Sequence, residues 1–114
     1  MRKSLVFILM FMFLIPNIVL AEGVVFSRHT SLVGKIHLIS SVGMSFYYIQ
    51  TGEDLIDTKY TMIGAAGLFT GALDECLYKS NLEGSKVTVS GILEYWDDNS
   101  MGFDETTVTC KPYP

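Results

Sequence analysis

The clearest alternation of apolar and polar positions lies between Leu82 and Trp96. After a Gly84-Ser85 turn, Val87, Val89 and Ile92 fall on one face and Lys86, Thr88 and Ser90 on the other, the period of two that a half-buried strand requires. Gly91 sits where the alternation slips, which predicts a bulge or tight bend. Upstream, Leu32 to Ile39 alternates on the side of Ile36 and Leu38 and predicts a strand with a bulge at Gly34, while Val24 to Phe26 suits a short first strand or a packing strap. Ser40 to Gly43 is turn material. Met44 to Thr51 then predicts a second strand, joined as a hairpin, with Phe46, Tyr48 and Gln50 on one face and Tyr47, Ile49 and Thr51 on the other.

A short third strand is expected around Lys59 to Ile63. Beyond it, Ala66, Phe69, Leu73 and Cys76 or Leu77 recur at the spacing of one helix face, and Gly64, Gly67 and Gly71 confine the expected helix to Leu68–Lys79, with Asn81 and Gly84 ending it. Asp97 to Gly102 reads as a polar loop. The β-branched residues Thr106 to Thr109 favour a last strand ending at Cys110, which leaves Lys111 to Pro114 as a tail. Three strands, a helix and two strands form the order of a small five-stranded α+β, mainly β, OB-like barrel with its helix between strands three and four.

The first residues change the picture. Arg2 and Lys3 precede an apolar run, Leu5 to Leu14, and Pro16-Asn17 break it before Val19-Leu20-Ala21, so residues 1–21 read as a signal peptide and 22–114 as a single OB-like domain. An uncleaved anchor is the competing reading, but the run is short of the roughly 20 residues a span needs. A periplasmic or secreted location follows, with no membrane insertion after cleavage. Losing Arg2 and Lys3 leaves 6 basic against 12 acidic residues, a net charge of −6, which argues against a nucleic-acid backbone or an anionic membrane as partner.

Cys76 and Cys110 are the only cysteines, and in an oxidising compartment such a pair is most simply one disulfide. Without Cys-x-x-Cys and with two histidines, the sequence offers no redox motif and no metal set. His29 and His37 lack a nucleophile motif to act on, and His37 is expected at a strand's outer rim. No cofactor loop is recognisable, and the acidic residues Asp97, Asp98, Asp104 and Glu105 lack calcium-loop spacing. The chain therefore reads as non-enzymatic.

Tyr95 and Trp96, followed by Asp97 and Asp98, have the composition of a sugar platform, in which a ring stacks on the apolar sugar face and an acid accepts hydroxyl protons. Set against that, Trp96 is expected to cap the core, since a domain of this size needs its one tryptophan for packing. Of Tyr47 and Tyr48, which point to opposite faces, one is expected in the core and the outward one beside Trp96, if the second and fourth strands approach each other.

The segment Leu82-Glu-Gly-Ser-Lys-Val-Thr-Val-Ser-Gly91 resembles the helix-to-strand motif of small exported bacterial OB-fold-like proteins. Phe46 to Thr51, Leu68 to Leu73 and the Tyr95-Trp96 pair more distantly resemble glycan-binding B subunits of pertussis-like and subtilase-type AB5 toxins, which usually carry a further cysteine pair that this chain lacks. The first resemblance implies an envelope binding or adaptor module with a protein or glycan ligand. The second implies a homo-oligomeric ring binding host glycans. Neither carries a sugar-binding residue across by match.

Overall fold

A computed structural model describes residues 23–114, so the expected signal peptide and its cleavage site lie outside the described residues. Six strands and one helix follow in the order β1 (Val24–Ser41), β2 (Met44–Thr51), β3 (Lys59–Ala65), α1 (Gly71–Glu83), β4 (Lys86–Trp96), β5 (Met101–Phe103) and β6 (Thr109–Pro112), with 3-10 turns at Ala66–Leu68 and Glu105–Thr107. β1 pairs antiparallel with β4 over Val24 to Lys35 and with β2 over Lys35 to Ser41. β2 pairs with β3, β3 meets β5 in parallel at Met62 and Gly102, and β5 returns antiparallel to β4. These pairings run β1-β2-β3-β5-β4 and back to β1, a ring of strands, with β6 taking up β4 where β5 leaves it.

The inward residues are those the period of two selects. Ile36 of β1, Tyr47 and Ile49 of β2, Ile63 of β3 and Val87, Val89 and Leu93 of β4 form one core with Phe69, Leu77, Phe103 and Val108. Tyr47 is thus the core tyrosine and Tyr48 the outward one. On β4 the expected slip at Gly91 does not occur: Leu93 rather than Ile92 is buried, and pairing to β1 runs through Gly91 without a shift. Gly91 is an inward position in phase with Val87 and Val89. A Cβ there would lie 2.9 Å from Thr107 Oγ1 and 3.3 Å from Phe103 Cδ1, so the missing side chain makes room for the turn that carries β5 over to β6.

Gly34 is also not a bulge. It lies next to Lys35, the residue paired with both Gln50 and Lys86, and a Cβ on it would run into the Gln50 carbonyl oxygen. The strand can belong to two ladders because glycine lets β2 come that close. Real shifts in register fall elsewhere, at Val25 on β1 and opposite Tyr47 and Tyr48, where Ile63 is the extra residue of β3.

Several boundaries differ from expectation. The short first strand and the strand at Leu32 are one continuous β1, because β4 pairs along its whole first half. The helix is displaced to Gly71–Glu83, after an extended Phe69 and Thr70, and Asn81 lies inside it. Gly84, at φ 70°, ends it by donating its N–H to the Ser80 carbonyl at 2.8 Å. Met101 and Gly102 belong to β5, not to a loop, and Glu105 to Thr107 form a turn in place of the start of the last strand, which extends through Lys111 and Pro112. That turn is held by Asp104, whose Oδ1 accepts from Thr106 N–H at 3.1 Å. Cys76 of α1 and Cys110 of β6 form a disulfide, with Cα atoms 6.1 Å apart.

Candidate functional site

β2 is apolar on both faces, and only one face is used by the core. Its outward side chains are Met44, Phe46, Tyr48 and Gln50, which face Ser41, Ile39, His37 and Lys35 of β1 in register. On the other flank Tyr48 faces Met62 and Gln50 faces Tyr60 of β3. Ile39, Met44, Tyr60 and Met62 are exposed, and the loops at the two ends of this surface add the almost fully exposed Val42, Leu55 and Ile56. Isolated exposed apolar residues are ordinary, but a continuous run across three strands is the signature of a contact surface.

Polar groups are set into that surface in a fixed arrangement. His37 Nε2 and Gln50 Oε1 lie 2.6 Å apart, and the His37 ring meets the Tyr60 ring edge-on at 5.7 Å between centroids. A histidine held by an amide and an aromatic edge offers directional hydrogen bonding inside an apolar field, the composition of a recognition site. At the margin, Val33, Gly34, Lys35, Gln50, Gly52 and Lys86 line a cavity of about 460 Å³. The Lys86 ammonium pairs there with Glu53 at 2.6 Å, which raises the lysine's pKa and lowers the glutamate's; both groups are in water, so the pair orders the rim more than it stabilises the fold.

The expected Tyr95-Trp96-Asp97-Asp98 platform lies elsewhere. Trp96 ends β4 opposite Val24, whereas Tyr48 faces His37 at the other end of β1, so on the order of 40 Å of strand separates them. β2 and β4 are paired to opposite ends of β1, so the outward tyrosine and Trp96 lie at opposite ends of that strand. Trp96 does not cap the core: it is 37% exposed, with its ring edge against Gly23. Tyr95 points inward, stacks obliquely on Phe26 at 5.5 Å and accepts from the Arg28 guanidinium at 3.3 Å. Asp98 is occupied by its own loop, accepting from both N–H and Oγ of Ser100, and these bonds hold its carboxyl below the usual range. Asp97 is tied through its N–H to the Gly23 carbonyl at 2.9 Å.

Tyr47 serves the core. Its hydroxyl donates to Asp74 Oδ1 of α1 at 3.1 Å, and burial first, then the charge of Asp74, pushes its pKa up to about 12. Glu94, on the outer face of β4, is pushed up by burial and by the neighbouring charges of Asp104 and Glu105. Among the described residues no three His, Cys, Asp or Glu side chains converge as a metal site would need, and no helix is long and apolar enough to cross a membrane.

The residues that sequence reasoning missed are Ile39, Phe46, Tyr60 and Met62, together with the pairing of His37 to Gln50. Their signal was present in β2, where both alternating sets, Tyr47 with Ile49 and Phe46 with Tyr48, are large and apolar. Comparison with family models, curated proteins and solved structures finds no match to this chain.

Proposed function

We propose that this chain is an exported, non-catalytic binding module on an OB-like barrel, engaging a protein partner through the outer face of β1, β2 and β3. The observation that carries this reading is the uninterrupted apolar surface from Met44 and Phe46 through Tyr48 to Met62 and Tyr60, on strands whose opposite sides already fill the core. The strand order, the parallel contact of β3 with β5 and a helix between β3 and β4 support the barrel assignment, and the face of strands two and three is where that fold binds its ligands. Methionine, phenylalanine and tyrosine around one histidine and one amide suit the core of a protein interface. The leader sequence and the Cys76–Cys110 disulfide support export to an oxidising compartment.

Photo-crosslinking separates this from a glycan-binding reading, which rests on the exposed Trp96 beside Asp97. A crosslinking residue at Tyr60 or Met62 is expected to capture a discrete protein in the native host, and the same residue at Trp96 is not. Capture at Trp96 alone, or a glycan-array signal lost in Trp96→Ala and kept in Tyr60→Ala, overturns the protein-binding assignment.

A further inference from the structure

β1 has two edges, and α1 covers one of them. Past Lys35 the strand leaves β4, and on that side Ser80 Oγ accepts from the Ile36 N–H at 3.3 Å and Asn81 Oδ1 from the Leu38 N–H at 2.9 Å. Before Lys35 the strand lies beyond the end of β2, and among the described residues no strand pairs with the β2-side edge of residues 24–33. A long row of unpaired backbone donors and acceptors is a template for another strand. Proteins blunt such edges with proline, lysine or inward charge; the stretch from Phe26 to Val33 holds no proline, no lysine and no acid, and its single inward charge, Arg28, is engaged by the Tyr95 hydroxyl. The β6 edge, by contrast, ends in Pro112 and packs on α1.

What fits this edge is written in its own order. About His29, Thr30 mirrors Arg28, Ser31 mirrors Ser27, Leu32 mirrors Phe26 and Val33 mirrors Val25, so the succession of chemical types is nearly the same read from either end. We propose that the edge pairs with the same edge of a second copy of this chain, antiparallel about a two-fold axis at His29. Serine then faces serine and Phe26 faces Leu32, the matched pairs that stabilise adjoining strands. Arg28 meets Thr30 of the second copy, which keeps the two guanidinium groups out of direct opposition. The whole chain has 12 acidic against 8 basic residues, but β1 carries no Asp or Glu, so two net-acidic copies meet here without apposed carboxylates. The bulge at Val25 marks where the pairing stops. Because the contact uses one patch on both copies, assembly ends at a dimer rather than a ring or filament. This inference does not depend on the outer-face reading.

The test is the mass of the purified protein by light scattering across a concentration series, with designed variants. A concentration-dependent dimer is expected. His29→Cys, which places a thiol on the axis at the Cα spacing that a disulfide accepts, should oxidise to a covalent dimer with the Cys76–Cys110 bridge intact, whereas Val42→Cys on the hairpin turn should not. The double variant Ser27→Lys, Ser31→Lys sets lysine against lysine and should be monomeric, while remaining folded with a melting temperature close to that of the wild type diluted to its monomer. Mixing it with Ser27→Glu, Ser31→Glu should restore a heterodimer. A protein monomeric at every concentration, a five-membered ring, or a dimer that survives the lysine variant overturns the proposal.

Discussion

The two ends of β1 differ in how their polar and apolar groups are satisfied. At the Ile36 end, α1 lies across the strand, Ser80 and Asn81 take up backbone donors, Tyr47 bonds Asp74, and the disulfide ties α1 to β6. At the Phe26 end the inward side chains Phe26 and Arg28 face water in large part, Trp96 is exposed, and Thr30 Oγ1 is buried without a hydrogen-bond partner among the described residues. The first end is finished by the chain itself. The second leaves its inward groups largely in water, so one strand is both a core element and an open edge when it changes partners along its length.

Gly34 joins the two ends, and Gly34→Ala should do the most damage. The new Cβ meets the Gln50 carbonyl, which is backbone and cannot rotate away, so a loss of about 4 kcal/mol or more is expected, read as failure to fold or a collapse of the denaturant midpoint. Breaking the covered end by Cys76→Ser with Cys110→Ser should cost about 3 kcal/mol, from the chain entropy of a loop with a sequence separation of 34.

Alkaline titration probes the same end. Unfolded tyrosine ionises near 10 and Tyr47 in the fold at about 12, so the unfolded state binds fewer protons between those values and stability falls as pH rises through them. Tyr47→Phe should lose that slope, which is worth about 2 kcal/mol by pH 12. At the bare end the sign reverses for Thr30→Val, which removes an unsatisfied hydroxyl at nearly constant shape and should stabilise by about 1 kcal/mol in thermal or denaturant melts. The smallest effect is expected for Phe26→Ala, about 0.5 kcal/mol in the isolated chain, since more than half of that side chain is already in water. A large cost at Phe26 would show that the bare end is more finished than its exposure indicates.

Much of this contrast was legible in residue order. The alternation in β2 fixes its ends and its two faces and the lone cysteine pair fixes the bridge, while of the two stop signals after Lys79 only Gly84 ends α1, which runs through Asn81 to Glu83. What could not be read is what depends on partners distant in sequence. Gly34 and Gly91 look like bulges because a glycine inside a strand signals a local defect, while their actual reason is the close approach of Gln50 and Thr107. β5 is not legible in the sequence because its regularity comes from pairing with Leu93 to Tyr95, not from the pattern of Met101, Gly102 and Phe103. The exposed apolar face of β1, β2 and β3 is hidden in the sequence for a related cause: it is distributed over ordinary outward positions that only pairing brings together, whereas Trp96 stands out by residue type alone.

The pairing of β1 with β4 also sets a timetable. Lys35 lies 51 residues before its partner Lys86, and Val24 lies 72 residues before Trp96. As the chain emerges from its N-terminus, whether from a ribosome or through a membrane pore, the hairpin with β2 is the only ladder β1 can form early, and its first half must wait for nearly the whole chain. During that interval the segment most suited to pair with its own kind is also the one longest without its native neighbour. Crowded nascent chains would therefore meet first through β1, and a holding chaperone has most to gain by binding there.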